Sequence, residues 1–342
     1  MAISLAQRPA AAVSIARVHA VLVHEGGALS FEEVPDPEPR PGEVLVELKA
    51  AAVNRRDLLV RFPPGPAYEF DLPLVVGTDG AGVRRDTGEE VVIYPAFGWD
   101  DALGAGGAAW ELLGGPRDGT YAELIAVPEA SLFPKPARLS FEEAATLPVA
   151  GLTAYRALFP VGGVREGETV LVLGAGSGVS TFAVLLAAQA GARVLVTSSS
   201  EEKIERAREL GADGGVLYTD AAWPDHVREL TGGRGVDVAI DSVGATWGDS
   251  LRCLRRGGRL VVFGGTGGPT VELDVRFVYL NWLSILGSTL GSPADFGRFL
   301  ETIGQASWKP VIDRVLPLAK AEAAHDLLKS GAHQGKIVLS IA

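Results

Sequence analysis

Apolar and polar residues first alternate regularly at Val18-His19-Ala20-Val21-Leu22-Val23, a pattern that predicts a strand with one face turned inward. Residues 1–16 are Ala-rich without such a period and are expected to form a tail. From residue 17 to about 150 the apolar runs are short (Glu43–Leu48, Glu90–Tyr94, Tyr121–Val127) and divided by Pro and Gly, so this part is predicted to be a β-rich lobe. Near residue 150 the period changes. Thr169-Val170-Leu171-Val172-Leu173 is apolar on both faces, as in a covered parallel sheet. A Gly-rich turn follows, then a predicted helix whose inner face would carry Phe182, Leu185, Leu186 and Ala190. Further strands are expected at Arg193–Thr197, Val216–Tyr218, Val236–Asp241, Arg259–Phe263 and Ser284–Gly287. Together they supply two mononucleotide-binding halves with strand order 3-2-1-4-5-6. After Pro293 a helix, a strand at Pro310–Leu316, a second helix and a strand at Lys336–Ile341 are expected to rejoin the first lobe. The expected fold class is α/β: a β-rich domain (17–150 and 293–342) beside a Rossmann-type, doubly wound parallel sheet (151–292).

Length agrees with this division, since 342 residues exceed the usual size of one compact core. The formal net charge of −11, with no cluster of five Lys or Arg, sets the chain against nucleic-acid phosphates. Any anionic ligand must therefore be held by a local site. No apolar run reaches the roughly 18 residues that a bilayer-spanning helix needs, and residues 1–16 lack the apolar block of a secretory signal. A cytoplasmic protein without membrane contact is expected. The single Cys253 forbids an intrachain disulfide and any zinc site built from several cysteines.

The strongest local signal is Gly174-Ala175-Gly176-Ser177-Gly178-Val179-Ser180, placed between a strand and a helix. Small residues let a pyrophosphate approach the backbone there, and N–H groups at the helix start face it; Gly174, Gly176, Ser177, Gly178 and Val179 are the candidates. The strict G-x-G-x-x-G spacing fails at Val179 and Ser180. The second strand ends in Thr197-Ser198-Ser199-Ser200, where an NAD-selective site would carry a carboxylate. Hydroxyls at Ser198 and Ser199, with Lys203 following, suit a ribose 2′-phosphate and favour NADP(H). Helix capping by Ser199 with Glu202 is the competing and compatible reading. Tyr218, ending the third strand, is a candidate neighbour of the same phosphate, and Gly264, past the fifth strand, a further cofactor contact.

Several segments jointly resemble the medium-chain dehydrogenase/reductase superfamily over nearly all of the chain after residue 17. They are Ala52-Val53-Asn54-Arg55-Arg56-Asp57-Leu58, Gly77-Thr78-Asp79-Gly80-Ala81-Gly82, Gly119-Thr120-Tyr121-Ala122-Glu123, Leu147-Pro148-Val149-Ala150-Gly151-Leu152-Thr153-Ala154-Tyr155 and Gly335-Lys336-Ile337-Val338-Leu339. Among its branches the chain is similar to the zinc-independent quinone oxidoreductases and to the zinc-type alcohol dehydrogenase-like proteins. The resemblance implies a GroES-like β lobe, a Rossmann lobe and an active site in the cleft between them. It places Asn54 beside the nicotinamide, Thr153 on its amide side, and Arg55 and Lys336 at the pyrophosphate. Zinc-using relatives have Cys at Asn54, His at Thr78 and a third ligand at Val149, so no metal is expected. Arg56 stands where those relatives keep a proton relay and is the second candidate at the catalytic centre, read as a surface cation or one facing a substrate carboxylate, since Arg does not deprotonate. Leu59 occupies the place of a Tyr found in some quinone reductases, which leaves the proton donor unassigned. Trp99, Trp110, Trp282 and Tyr94 are candidates either for an aromatic cleft or for core packing.

Without a Lewis acid a conjugated carbonyl or quinone is an easier hydride acceptor than an alcohol is a donor. The sequence is thus read as a metal-free NADP(H)-dependent oxidoreductase. An alcohol or aldehyde dehydrogenase, and a non-catalytic NADPH sensor or partner protein, are the alternatives. The sixth strand carries no charged or Pro gatekeeper across Asn281–Leu290, which predicts a homodimer paired along that edge, with cover by a helix of the same chain as the alternative.

Overall fold

The computed structural model describes residues 17–342; the expected tail at 1–16 lies outside the described residues. Six parallel strands, Thr169–Val172, Arg193–Ser198, Gly214–Leu217, Val236–Asp241, Leu254–Val262 and Ser284–Gly287, form one sheet. Numbered along the chain, they lie in the order 3-2-1-4-5-6. The first strand is buried at all four positions, which is why its sequence shows no alternation. The third strand begins two residues before its apolar run, because Gly214 and Gly215 pair in register with Leu195 and Val196. The fifth starts earlier than its sequence pattern too, at Leu254, with a register break between Val236 and Val238 on its partner.

Helix Gly178–Gln189 follows the first strand. Its buried set runs without interruption from Ser180 to Ala187, so it is enclosed on every side rather than presenting one apolar stripe. Phe182, Leu185 and Leu186 are buried as expected and Ala190 is not. The enclosure comes from helices that bring the two lobes together. A continuous helical run covers Leu147–Val161, across residue 150, and helix Pro293–Gln305 packs against it through Phe299, which meets both Phe182 and Tyr155.

The first lobe is built around strand Glu43–Ala52, which pairs antiparallel with Asp79–Arg84 and with Leu124–Pro128. Gly82 permits that crossing, since a Cβ there would fall 2.1 Å from the carbonyl oxygen of Glu47. The end of the chain returns to this lobe, where strand Lys336–Ser340 pairs antiparallel with Ala50–Ala52 and parallel with Ile312–Pro317. That return brings Lys336 from the far end of the sequence beside residues near its start.

Candidate active site

The Gly-rich turn closes on itself through short side chains. Gly174 and Gly176 adopt φ of +71° and +105°, conformations that L side chains rarely take. Ser177 caps the helix, its Oγ accepting from the Ser180 N–H at 3.1 Å, and Ser180 Oγ donates back to the Gly174 carbonyl at 2.9 Å. Thr197, a residue whose role the sequence pattern did not single out, holds the other side: its Oγ1 accepts from Gly174 N–H and its carbonyl from Ala175 N–H. The N–H groups of Gly178 and Val179, in the first turn, have no intrahelical acceptor and are placed for an anion. At the other half of the sheet, Ser288 follows the sixth strand with its Oγ shut away from solvent and without a hydrogen-bond partner, and Gly264 lies exposed past the fifth. A turn with free N–H groups at one half and an orphaned buried hydroxyl at the other fit a bound dinucleotide.

At the adenosine end the Tyr218 N–H donates to the Ser198 carbonyl at 2.9 Å, so these two residues are neighbours across strands two and three. Tyr218 is 47% exposed, Ser199 is exposed and Ser198 is buried. Lys203 lies over the turn, its Cδ 3.1 Å from where a Cβ on Gly176 would stand, and its Nζ donates to the Gly331 carbonyl at 2.9 Å. The capping box expected from Ser199 and Glu202 is not formed. Ser200 is the N-cap and its side chain makes no cap bond; its N–H donates to Ser198 Oγ, and Glu202 accepts from Arg206 at 2.7 Å.

The first lobe contributes a buried polar cluster. Asn54 starts helix Arg55–Arg61, and its N–H donates to the Asp57 carboxylate at 2.8 Å. Asn54 Nδ2 donates to Asp79 Oδ2 at 2.9 Å and to the Ala52 carbonyl at 3.2 Å. Asp79 Oδ1 accepts from Val149 N–H at 2.8 Å. Into this group reaches Lys336 Nζ, donating to Val53 O at 2.8 Å, Asn54 Oδ1 at 2.5 Å and Asp79 Oδ2 at 3.0 Å. All three of its N–H donors are thereby taken. The resemblance implied Lys336 at the pyrophosphate; the structure instead lays its stem against Gly178 and turns its ammonium into the first lobe. Burial pushes the Asp79 carboxyl up, while Lys336 and Asn54 pull it down.

Arg56 is likewise committed. Its guanidinium donates to the carbonyls of Leu113, Gly114 and Gly115 at 3.0, 3.2 and 2.5 Å and to Thr78 Oγ1 at 3.3 Å. It fixes a loop beside the cleft, a positioning role, where the sequence suggests a surface cation or one facing a substrate carboxylate. Asp57 accepts from Tyr121 OH at 3.0 Å and Thr78 Oγ1 at 3.3 Å, and Tyr121 OH lies 3.4 Å from His325 Nε2. Burial raises the pKa of Asp57 and lifts Tyr121 well above the usual phenol range, with the Asp57 charge adding to the latter. Burial and the Arg61 charge hold the His325 imidazole down to about 4. Thr153 is nearly buried on helix Leu152–Arg156, and Arg55 is exposed at the start of its helix.

The aromatic candidates separate. Trp282 is 66% exposed at the far sheet edge with the Arg256 guanidinium 4.3 Å over it, so it lines no cleft. Tyr94 is buried and donates to the Gly291 carbonyl at 2.7 Å, while Trp99 and Trp110 meet edge to face, 5.9 Å apart.

Known proteins share this arrangement. The family pattern described as alcohol dehydrogenase GroES-like domain matches residues 40–137, and that described as zinc-binding dehydrogenase matches residues 178–305. A zinc-type alcohol dehydrogenase-like protein of Schizosaccharomyces pombe is 38% identical over 326 residues, covering 90% of this chain and 93% of that protein. The quinone oxidoreductase of Rattus norvegicus is 31% identical, over 90% of this chain and 92% of its own. The chain is a medium-chain dehydrogenase/reductase. A crystal structure of an NAD-dependent alcohol dehydrogenase superimposes on this medium-chain dehydrogenase/reductase with a TM-score of 0.89 and 41% identity, covering 95% of this chain and all of that one. Oxidoreductase chemistry with a nicotinamide cofactor follows from this membership.

At the three positions where zinc-using members of the superfamily place ligands, this chain has a carboxamide, a hydroxyl and an isopropyl group. Asn54 and the Val149 N–H both point to Asp79, Thr78 points to Asp57, and the Lys336 ammonium lies among them. Neither thiolate nor imidazole is offered, and a second cation would face the ammonium; the donor set does not fit zinc. Among the described residues no group of three or more His, Cys, Asp or Glu is arranged to hold a metal ion. No described helix is long and apolar enough to cross a membrane.

Proposed function

We propose that the protein is a metal-independent, NADP(H)-dependent reductase of quinones, enones or related conjugated carbonyls. The observation that carries the reading is the Lys336 ammonium, buried among Asn54, Val53 and Asp79 where a Lewis acid would have to bind. An alcohol must lose a proton as it loses hydride, and its alkoxide needs a strong local charge to form. A quinone or enone accepts hydride with its negative charge delocalised onto oxygen, which hydrogen-bond donors suffice to stabilise.

When bound, the nicotinamide supplies the hydride. The chain's own residues bind and orient. Gly178 and Val179 N–H groups would hold the pyrophosphate, Arg55 stands exposed on the first-lobe side, and Thr153 and Ser288 offer hydroxyls at the nicotinamide half. Lys336 and Asp79 together fix the Asn54 amide in one orientation, since its oxygen and its nitrogen are both engaged. Arg56 holds the loop Leu113–Gly115 in place beside them. For the cofactor, Lys203 over the turn and Ser199 exposed beside it favour a 2′-phosphate, and the second strand ends in hydroxyls without a carboxylate.

The experiment is a panel of quinones, enones, aldehydes and primary alcohols with NADPH, NADH and their oxidised forms, followed at the nicotinamide absorbance. Turnover concentrated on conjugated acceptors with NADPH is expected. Alcohol oxidation as the fastest reaction would overturn the reading, and tight NADPH binding without turnover of any acceptor would replace it by a sensor.

A further inference from the structure

Between helix Glu201–Glu209 and the segment 331–336 lies a group of basic side chains from opposite ends of the second half of the chain. Lys203 and Arg206, three residues apart, share one side of their helix. Both cross to the segment: Lys203 Nζ donates to the Gly331 carbonyl at 2.9 Å, and Arg206 Nη1 to Gln334 Oε1 at 2.9 Å. The Gly335 N–H donates to the Gly176 carbonyl at 2.8 Å and ties the segment to the phosphate turn. His333 stands between these anchors. Its Nδ1 is closed to solvent and has no hydrogen-bond partner, a condition that costs free energy until a ligand completes it. Lys203, with one of three N–H donors spent on Gly331, has two left for the same ligand.

We infer that His333 joins Lys203 in binding a phosphate monoester, the ribose 2′-phosphate of NADP(H). The inference rests on the NADP(H) reading above and adds to it a residue 130 positions from Lys203 along the chain. The surroundings of the ring are mixed. The Lys203 charge acts on it from helix Glu201–Glu209, whose Arg206 is already shared between Gln334 and Glu202. The charges of Asp313, on strand Ile312–Pro317, and of Lys336, turned away into the first lobe, act on it through space, and the Leu327 carbonyl lies against it from helix Ala321–Ser330. Burial, then Lys203 and Lys336, hold the imidazole below its ordinary pKa, and Asp313 and the Leu327 carbonyl oppose them. A dianion arriving beside Lys203 and His333 reverses that balance and favours the imidazolium. Phosphate binding then draws a proton from the buffer onto the ring, with no covalent change.

The test is calorimetric titration of the full chain with NADPH and with NADH, in two buffers of different ionisation enthalpy at pH 7.5, where a free phosphate monoester is almost wholly dianionic. Fractional proton uptake is expected with NADPH and none with NADH. His333→Gln should abolish the uptake and weaken NADPH about tenfold, the scale of one charge-assisted hydrogen bond, while leaving the NADH dissociation constant unchanged. Unchanged NADH binding also reports intact folding, and His333→Asn is the second variant should the first not fold. If both variants keep wild-type NADPH affinity and proton uptake while Lys203→Ala loses affinity, His333 does not touch the phosphate and the NADP(H) reading stands alone. A wild type that binds NADH as tightly as NADPH overturns the reading and this inference together.

Discussion

The Lys336–Asp79 pair shows what a single residue does at the centre of this protein. Both side chains are buried, at 3% and 0% exposure, so the charges are held by each other and by Asn54 and Val149 rather than by water. Removing one partner leaves an uncompensated buried charge. Lys336→Met is therefore expected to lower unfolding stability by about 3–5 kcal/mol in urea titration, and the double variant Lys336→Met/Asp79→Leu to recover much of that loss. Equal stability of the single variant and the wild type would contradict the pairing. His325 makes a second prediction. Its imidazole is buried neutral, with a pKa of about 4 against an ordinary 6.5, so the unfolded chain binds the proton more readily. The stability that this neutral state contributes is complete above pH 6.5 and is lost as pH falls from 6.5 towards 4. The loss is about 3 kcal/mol by linkage. His325→Phe should flatten that part of the stability–pH curve relative to wild type; the same slope in both would show that His325 titrates normally. None of these couplings was legible in sequence. Asn54, Asp79 and Lys336 each stood in a recognisable segment, but their mutual bonds arise from the chain's return at residue 336, and Tyr121 and His325 sit 204 positions apart.

At the scale of elements, much more was legible. Local pattern determines a strand such as Val236–Asp241, which is bounded by turn residues and buried at every position. Pattern failed where neighbours decide: Gly214 and Gly215 join the third strand only through pairing with the second, and the helix after the second strand starts one residue later than the Ser199 cap pattern implies, with Ser200 as N-cap. The helix after the Gly-rich turn was correctly placed, yet its all-round burial depends on Phe299 and the helical run Leu147–Val161 from outside the sheet. On the proposed NADP(H) reading, the turn and the helix Glu201–Glu209 act together in cofactor choice. Lys203→Ala should weaken NADPH by roughly ten- to a hundredfold, the range of a hydrogen bond to a charged group, and NADH by little. Equal losses for the two cofactors, measured by nicotinamide fluorescence, would show that Lys203 supports the turn without reading the phosphate.

On the whole molecule, the sixth strand leaves one edge of the parallel sheet without a partner strand among the described residues. Beside it the helix Val275–Leu280 exposes Val275, Tyr279 and Leu280, and Trp282 follows at 66% exposure. We propose that a second copy covers this edge by two-fold strand pairing, which satisfies both sets of edge hydrogen bonds at once. Light scattering at micromolar concentration is expected to give twice the chain mass, and Ile285→Asp to reduce it to one; a wild-type monomer would contradict the pairing. The two-lobed plan itself was legible because each lobe has its own hydrophobic period, whereas the hydrogen bonds that join the cleft residues were not, since their partners come from distant parts of the chain.

The most direct measurement concerns the metal. The purified protein, dialysed against a strong chelator and assayed for zinc by elemental analysis, is compared with the untreated protein in NADPH-dependent quinone reduction. The account predicts less than one-tenth of a zinc per chain, on the order of background where no thiolate or imidazole set exists, with activity unchanged by chelation and by added zinc. Stoichiometric zinc before treatment, with activity lost on its removal and restored on its return, would contradict it.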